Sequence, residues 1–226
     1  MFLLAFFMMC DTFSQIFVSP TIINFFPDEL PRQDVVVTNE GNETVYLSIK
    51  AYRVNHPGTK IEKKVTIHDP SKLKFIVSPT RMIIPPKQHR LLRLMKLASP
   101  QKQDSIYRIE VVPIPKQLLP VKEKFMNKRR IGIRIILAYG ILVIVRPQHI
   151  KQNIQLVRNK TTLFIVNQGN TNFNILSGKQ CQNDKCMNIP SRRMYAGNRW
   201  KINLLFDQPV TLRIKNLGHI KKLYSN

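Results

Sequence analysis

Residues 34–54 read DVVVTNEGNETVYLSIKAYRV. Residues 34–39 and 44–54 are rich in β-branched and aromatic side chains, with polar residues interleaved. Such composition suits a pleated, half-buried surface and disfavours helix. Between the runs stands Glu40-Gly41-Asn42, whose residue types accept the left-handed backbone of a turn. The stretch is predicted to be two strands and a turn.

Outward from it the same punctuation repeats. Residues 74–77, 81–84, 91–97 and 106–112 are further strand candidates, with Pro, Gly and Asn in the gaps. No stretch offers a capped amphipathic helix of three turns. After Pro147 the pattern restarts at residues 153–159, 161–167, 172–176, 200–206 and 210–215. A chain of 226 residues with 43% hydrophobic content can bury a core in each of two domains. The fold class expected is all-β, two immunoglobulin-like sandwiches, with the boundary near residues 146–149. Residues 114–130, with prolines at 115 and 120, are read as a loop.

The longest apolar run, residues 131–145 (IGIRIILAYGILVIV), is closed by Arg146-Pro147. It is too short for a membrane span and contains Arg134. Its β-branched content makes it a long strand. Arg134 interrupts one parity only, so Ile131, Ile133, Ile135 and Leu137 form an unbroken apolar row on the other face. Either that row serves an external partner or it fills the protein's own core. If it serves a partner, the opposite parity (Ile136, Ala138, Leu142, Ile144) is expected to supply the internal contacts.

The N-terminus, MFLLAFFMMCDTFSQ, reads as a signal peptide cleaved near Ser14, leaving domains at 15–146 and 147–226. Two cysteines then remain, Cys181 and Cys186, in the polar, turn-like KQCQNDKCMN. In an exported chain they suggest a disulfide across a hairpin end. A zinc site would need further ligands, and the histidines lie far away in sequence. The net charge of +23 favours acidic or polyanionic partners. The Lys and Arg are nevertheless spread along the chain, densest at residues 122–130, with no zinc-finger spacing or RNA-binding aromatic signature.

In order and spacing, these pieces resemble the periplasmic chaperones of the chaperone–usher pilus pathway. The resemblance runs through FVSPTIINF (17–25), VVVTNEGNETVYL (35–47), FIVSPTRMIIPPKQHRLLRL (75–94) and SIYRIEVVPIP (105–115). It continues through the long strand ending in Val145-Arg146-Pro147 and LFIVNQGNTNF (163–173). The YRVNHPG segment (52–58) and the paired cysteines of domain two resemble the alternate class that serves colonisation-factor fimbriae.

The resemblance implies a boomerang of two sandwiches that lends a strand to unfinished pilus subunits and delivers them to an outer-membrane usher in the periplasm. It implies no cofactor and no nucleic acid, and a free form able to cap itself by self-association. Alignment on Arg146-Pro147 puts Ile133, Ile135 and Leu137 on the family's donor residues, with Ile131 extending the row. An interdomain ion-pair cluster falls on Asp104, Arg146 and Asp207. The family's usual Arg/Lys anchor for the subunit carboxylate falls on Ile22 and Leu142, which cannot serve. Arg93 and Arg108, each interrupting an apolar strand, are the replacement candidates.

Catalysis has little support: no GxSxG, HExxH or phosphate-binding Gly loop is present. The alternatives to a chaperone are a basic nucleic-acid-binding protein, motivated by the charge, and a structural pilus component. The latter would carry one incomplete sandwich rather than two full strand sets.

Overall fold

The computed structural model describes residues 16–67, 74–97, 101–115 and 136–225. The first unit is built from β1 (Ile16–Ser19), β2 (Ile22–Phe25), β3 (Arg32–Asn39), β4 (Val45–Asn55), β5 (Lys63–Thr66), β6 (Phe75–Ser78), β7 (Arg81–Ile84), β8 (His89–Lys96), β9 (Ser105–Pro113) and β10 (Tyr139–Val145). One sheet runs β1-β3-β8-β6; the facing sheet runs β2-β10-β9-β4-β5, with β7 also paired to β4. Alternation decides the packing. In β3, Val35 and Val37 are fully buried; in β8, Leu92 and Leu94 are; in β9, Tyr107, Ile109 and Val111 point the same way. These rows interdigitate as one core with Leu47, Ile84 and Phe75, and Phe75 meets Tyr107 edge-on at 4.8 Å between ring centroids.

The second unit comprises β11 (Ile154–Asn159), β12 (Thr162–Asn167), β13 (Phe173–Gln182), β14 (Lys185–Ile189), β15 (Arg192–Met194), β16 (Arg199–Asn203), β17 (Val210–Asn216) and β18 (His219–Ser225). Its sheets are β11-β12-β16 and β14-β13-β17-β18, with β15 paired to β13. The hairpin β17–β18 closes through Leu217 (φ 47°) and Gly218 (φ 90°), the left-handed pair that suits the twist of a two-residue connection. A separate core forms around Leu163, Ile165, Phe173, Leu212 and Ile214.

The strand read over residues 131–145 is described as β10 from Tyr139 onward; residues 136–138 precede it without strand pairing. Residues 131–135, with Ile131, Ile133 and Ile135, lie outside the described residues, as do the leader (1–15) and the basic block at 122–130. β10 pairs antiparallel with β9 from Tyr139↔Val111 to Val145↔Ser105, and β9 ends at Pro113. A proline has no N–H to continue the ladder.

The expectation about parity holds only in part, since both parities of β10 are buried. Ile141, Val143 and Val145, which share the parity of Leu137, fill the core of the first unit. Leu142 and Ile144 join Val54, Ile106 and Tyr195 in a small cluster bridging the two units. Ile136 is exposed. The side of β10 facing its own sandwich is therefore the one that shares the parity of Leu137.

Cys181 and Cys186 are directly opposite in β13 and β14, bonded at a Cα separation of 4.1 Å beside the Asn183-Asp184 turn. The closed loop is short, and cross-linking it is worth about 2 kcal/mol on the chain-entropy estimate. Replacing both cysteines by serine is expected to lower the unfolding free energy of the second unit by no more than that. Urea titration measures it; a larger loss would mean that the bond positions more than its hairpin.

Candidate interdomain cleft and donor strand

At the junction of the units, Asp104 and Arg146 are buried together. Arg146 Nη1 donates to Asp104 Oδ2 at 2.9 Å and to Thr171 Oγ1 at 2.6 Å, and Nη2 donates to Asn24 Oδ1 at 2.7 Å. The Asp104 carboxylate also accepts from the Asn172 backbone N–H (2.8 Å) and Nδ2 (2.9 Å) and from the Thr171 hydroxyl (3.1 Å). The Arg146 guanidinium lies 5.5 Å from the Phe26 ring centroid. Burial holds Arg146 below its ordinary pKa, and the Asp104 charge opposes that. β10 ends at Val145 and β9 begins at Ser105, so the two charges emerge from paired strand ends and meet the start of β13.

Asp207 is not part of this network. It lies in the connection after β16, where it accepts from Arg158 Nη1 at 2.6 Å, and its side chain is mostly exposed. The register explains why. β16 starts beside the junction, with Asn198 following Tyr195, and runs away to Asn203 opposite Thr162. A residue beyond that end cannot return. Thr171 and Asn172 occupy the second side of Arg146 and Asp104 instead. Neither stood out in the sequence, since a Thr-Asn pair before a strand is ordinary turn chemistry.

A second contact joins the units through residues 52–58. Asn198 Nδ2 donates to the Pro57 carbonyl (3.1 Å), and Arg192 Nη2 donates to the Gly58 carbonyl (3.0 Å). Gly58 has φ +72°, and a Cβ there would lie 2.9 Å from Tyr195 Cδ2. The HPG turn is thus a wedge fitted against Tyr195, and only glycine permits both its backbone and the approach. Gly58→Ala is expected to cost about 1–2 kcal/mol from the left-handed backbone alone, with further loss from the Tyr195 clash. An unchanged denaturation midpoint would contradict that.

The two arginines considered as anchors are not brought together. Arg93 stands on the outer face of the β1-β3-β8-β6 sheet, where its Nε donates to Asp34 Oδ1 at 3.1 Å and Arg32 shares the same carboxylate. It belongs to a surface ion pair on the sheet opposite the one that meets the second unit. Arg108 is half-buried on the junction side of β9, across from Leu142 and Tyr52. Its Cδ would touch a Cβ placed on Gly140 at 3.4 Å, so the missing side chain gives it room.

Arg193 on β15, which the sequence did not single out, also stands at the domain junction. Arg193 Nη1 donates to Asn172 Oδ1 at 2.9 Å. Burial lowers its pKa; Tyr195 opposes this, Arg108 reinforces it and Asp104 opposes it. Burial likewise pushes the Tyr195 hydroxyl up, against the charges of Arg193 and Arg108. Two guanidinium groups, those of Arg108 and Arg193, thus stand at the domain junction that Tyr195 helps to fill. A guanidinium can hold a carboxylate through two hydrogen bonds.

Among the described residues, no three His, Cys, Asp or Glu side chains gather as a metal site requires.

The profile described as "Pili and flagellar-assembly chaperone, PapD N-terminal domain" matches residues 15–151. The chain belongs to that family of assembly chaperones. The solved class 5 fimbriae chaperone CfaA is similar in fold, with a TM-score of 0.68 at 18% identity over 93% of this chain and 98% of that one. A chain of the chaperone–tip adhesin complex of CFA/I fimbriae biogenesis gives 0.67 at 20% identity, covering 94% and 98%. One from the CsuC–CsuE pre-assembly complex of Acinetobacter baumannii gives 0.63 at 13%, covering 93% and 98%. Among curated protein sequences none matches. The chaperone is therefore all-β and two-domained, of the pilus-assembly kind.

Proposed function

We propose that this chaperone works in the periplasm by lending residues 131–137 as a strand to incomplete pilus subunits, which it then passes to an outer-membrane usher. One observation carries the reading. The core-facing parity of β10 (Ile141, Val143, Val145) continues in Leu137, which is 70% exposed, and in sequence through Ile135, Ile133 and Ile131. A strand whose inner face stays apolar past the end of its own pairing carries a core-forming row to a second sandwich. Backbone groups of the lent strand pair with the subunit's open edge, and alternate side chains fill its groove. Nothing in the process calls for ATP or covalent chemistry; the subunit's more complete folding drives release. Unoccupied, the same row favours self-association. A free protein that stays strictly monomeric at high concentration would count against that part.

Arg108, with Arg193 across the cleft, is the proposed seat of the subunit's terminal carboxylate, in place of the family's anchor positions at Ile22 and Leu142. A hydrogen bond to a charged group is worth about 1.5–3 kcal/mol. Arg108→Ala is therefore expected to weaken subunit capture roughly 10- to 100-fold, with a smaller loss for a subunit whose C-terminus is amidated. Equal losses for both forms would place the carboxylate elsewhere. The function as a whole is tested by purifying tagged protein from periplasm: recovery with a pilin in one-to-one ratio supports it, and recovery alone from cytosol contradicts it.

A further inference from the structure

Among the described residues, the outer face of the β14-β13-β17-β18 sheet carries cations and no carboxylate. Lys179, Arg213, Lys215 and Lys222 are all exposed there, and Arg213 stands directly opposite Lys222. Neighbouring strands lie about 4.8 Å apart, well inside the screening length of about 8 Å at physiological salt. Like charges so placed repel and destabilise the sheet. The side-chain carboxylates of the second domain are Asp184, in the β13–β14 turn, and Asp207, engaged by Arg158. In the first domain Asp34 sits between Arg32 and Arg93, and Glu110 pairs with Lys64; on this face no such pair stands among the described residues.

That face begins at the cleft. Asn174 of β13 is opposite both Arg193 of β15 and Lys215 of β17, so these side chains share one row, and Arg193 reaches the domain junction through Asn172, which bonds Asp104 of the first domain. Tyr224 and Ile220 of β18, 62% and 57% exposed, lie on the same face. It is a flat, basic, partly apolar surface continuous with the proposed carboxylate seat.

We infer that this face docks an acidic surface of the client subunit, so that the second domain steers and orients what the first domain holds. The inference rests on the reading of the chain as a subunit-capturing chaperone. Unmatched charge of one sign raises the rate of encounter with an oppositely charged partner and fixes its orientation.

The test uses the chaperone–subunit complex purified from periplasm. A zero-length carbodiimide cross-linker joins lysine amines to carboxylates already in contact. We expect links from Lys179, Lys215 or Lys222 to Asp or Glu of the subunit. A Lys215→Glu/Lys222→Glu variant is expected to capture the guanidinium-released subunit at least 10-fold more slowly at low salt, with the two rates converging at high salt. Links confined to Lys160 and Lys201 of the other sheet, or to the first domain, would overturn the inference while leaving subunit capture standing. So would an unchanged rate. Binding of a 30-nucleotide single strand or of phosphatidylglycerol vesicles, lost in the variant with subunit capture unaffected, would assign the face to a polyanion instead. If no subunit accompanies the chaperone at all, the capture reading fails and this inference falls with it.

Discussion

Arg146→Ala is expected to lower the unfolding free energy by about 3–5 kcal/mol, the range for removing one partner of a buried ion pair. The loss has identifiable parts. Asp104 keeps its bonds from Asn172 and Thr171 but loses the cation that neutralises it, in a place water does not reach. Asn24 loses its donor, and the Phe26 ring loses its guanidinium. Arg146→Lys is expected to recover only part, because one ammonium cannot reach both Asp104 and Asn24 with the geometry of a planar fork. Replacing Arg146 and Asp104 together by apolar residues is expected to cost less than either alone. That would identify the unpaired charge as the damage, and the network's role as fixing the domain angle. Urea titration of the three variants decides this, and a single-variant loss under 1 kcal/mol would mean that the pair is not closed to water.

The second large effect concerns capture. Ile133→Asp is expected to abolish it, with Ile135→Asp and Leu137→Asp close behind. Burying one such side chain contributes about 1.5–3 kcal/mol, and a carboxylate placed in the same groove without a partner costs several more. Together these correspond to a loss of at least about a thousandfold in affinity. On this reading the chaperone's own stability should hardly change, since among the described residues β10 pairs with β9 only from Tyr139 onward. If the variants fail to fold, the row belongs to the chaperone's own core, and the lent strand is wrong.

Much of this architecture is legible in the sequence because it rests on short-range pattern. Alternation in residues 34–54 and the turn at Gly41 dictate strands whatever they pair with, and the apolar row before Arg146-Pro147 is visible without a partner. What alternation leaves open is which face turns inward. Residues 131–145 are apolar on both sides near the end, since Leu142 and Ile144 serve the domain junction while Ile141, Val143 and Val145 serve the core. The opposite assignment was therefore as natural on paper. Long-range charge pairing is equally hidden. Asp207 is the candidate for Arg146 until the direction of β16 puts it at the far end, while Thr171 stands at the junction. Arg93 and Arg108 look alike, each a cation within an apolar strand. They part only because β8 and β9 lie in different sheets. Arg193 is hidden for the same reason: its bond to Asn172, beside Asp104, exists only once β15 pairs with β13 at the junction.

The central claim is that residues 131–137 become a strand of the captured subunit. Hydrogen exchange on the purified complex addresses it at the backbone. The account requires the amides in this segment to exchange at least a hundredfold more slowly in the complex than in the free chaperone, with alternate side chains shielded from solvent labelling. Full exposure of the segment while a subunit is firmly bound would contradict it.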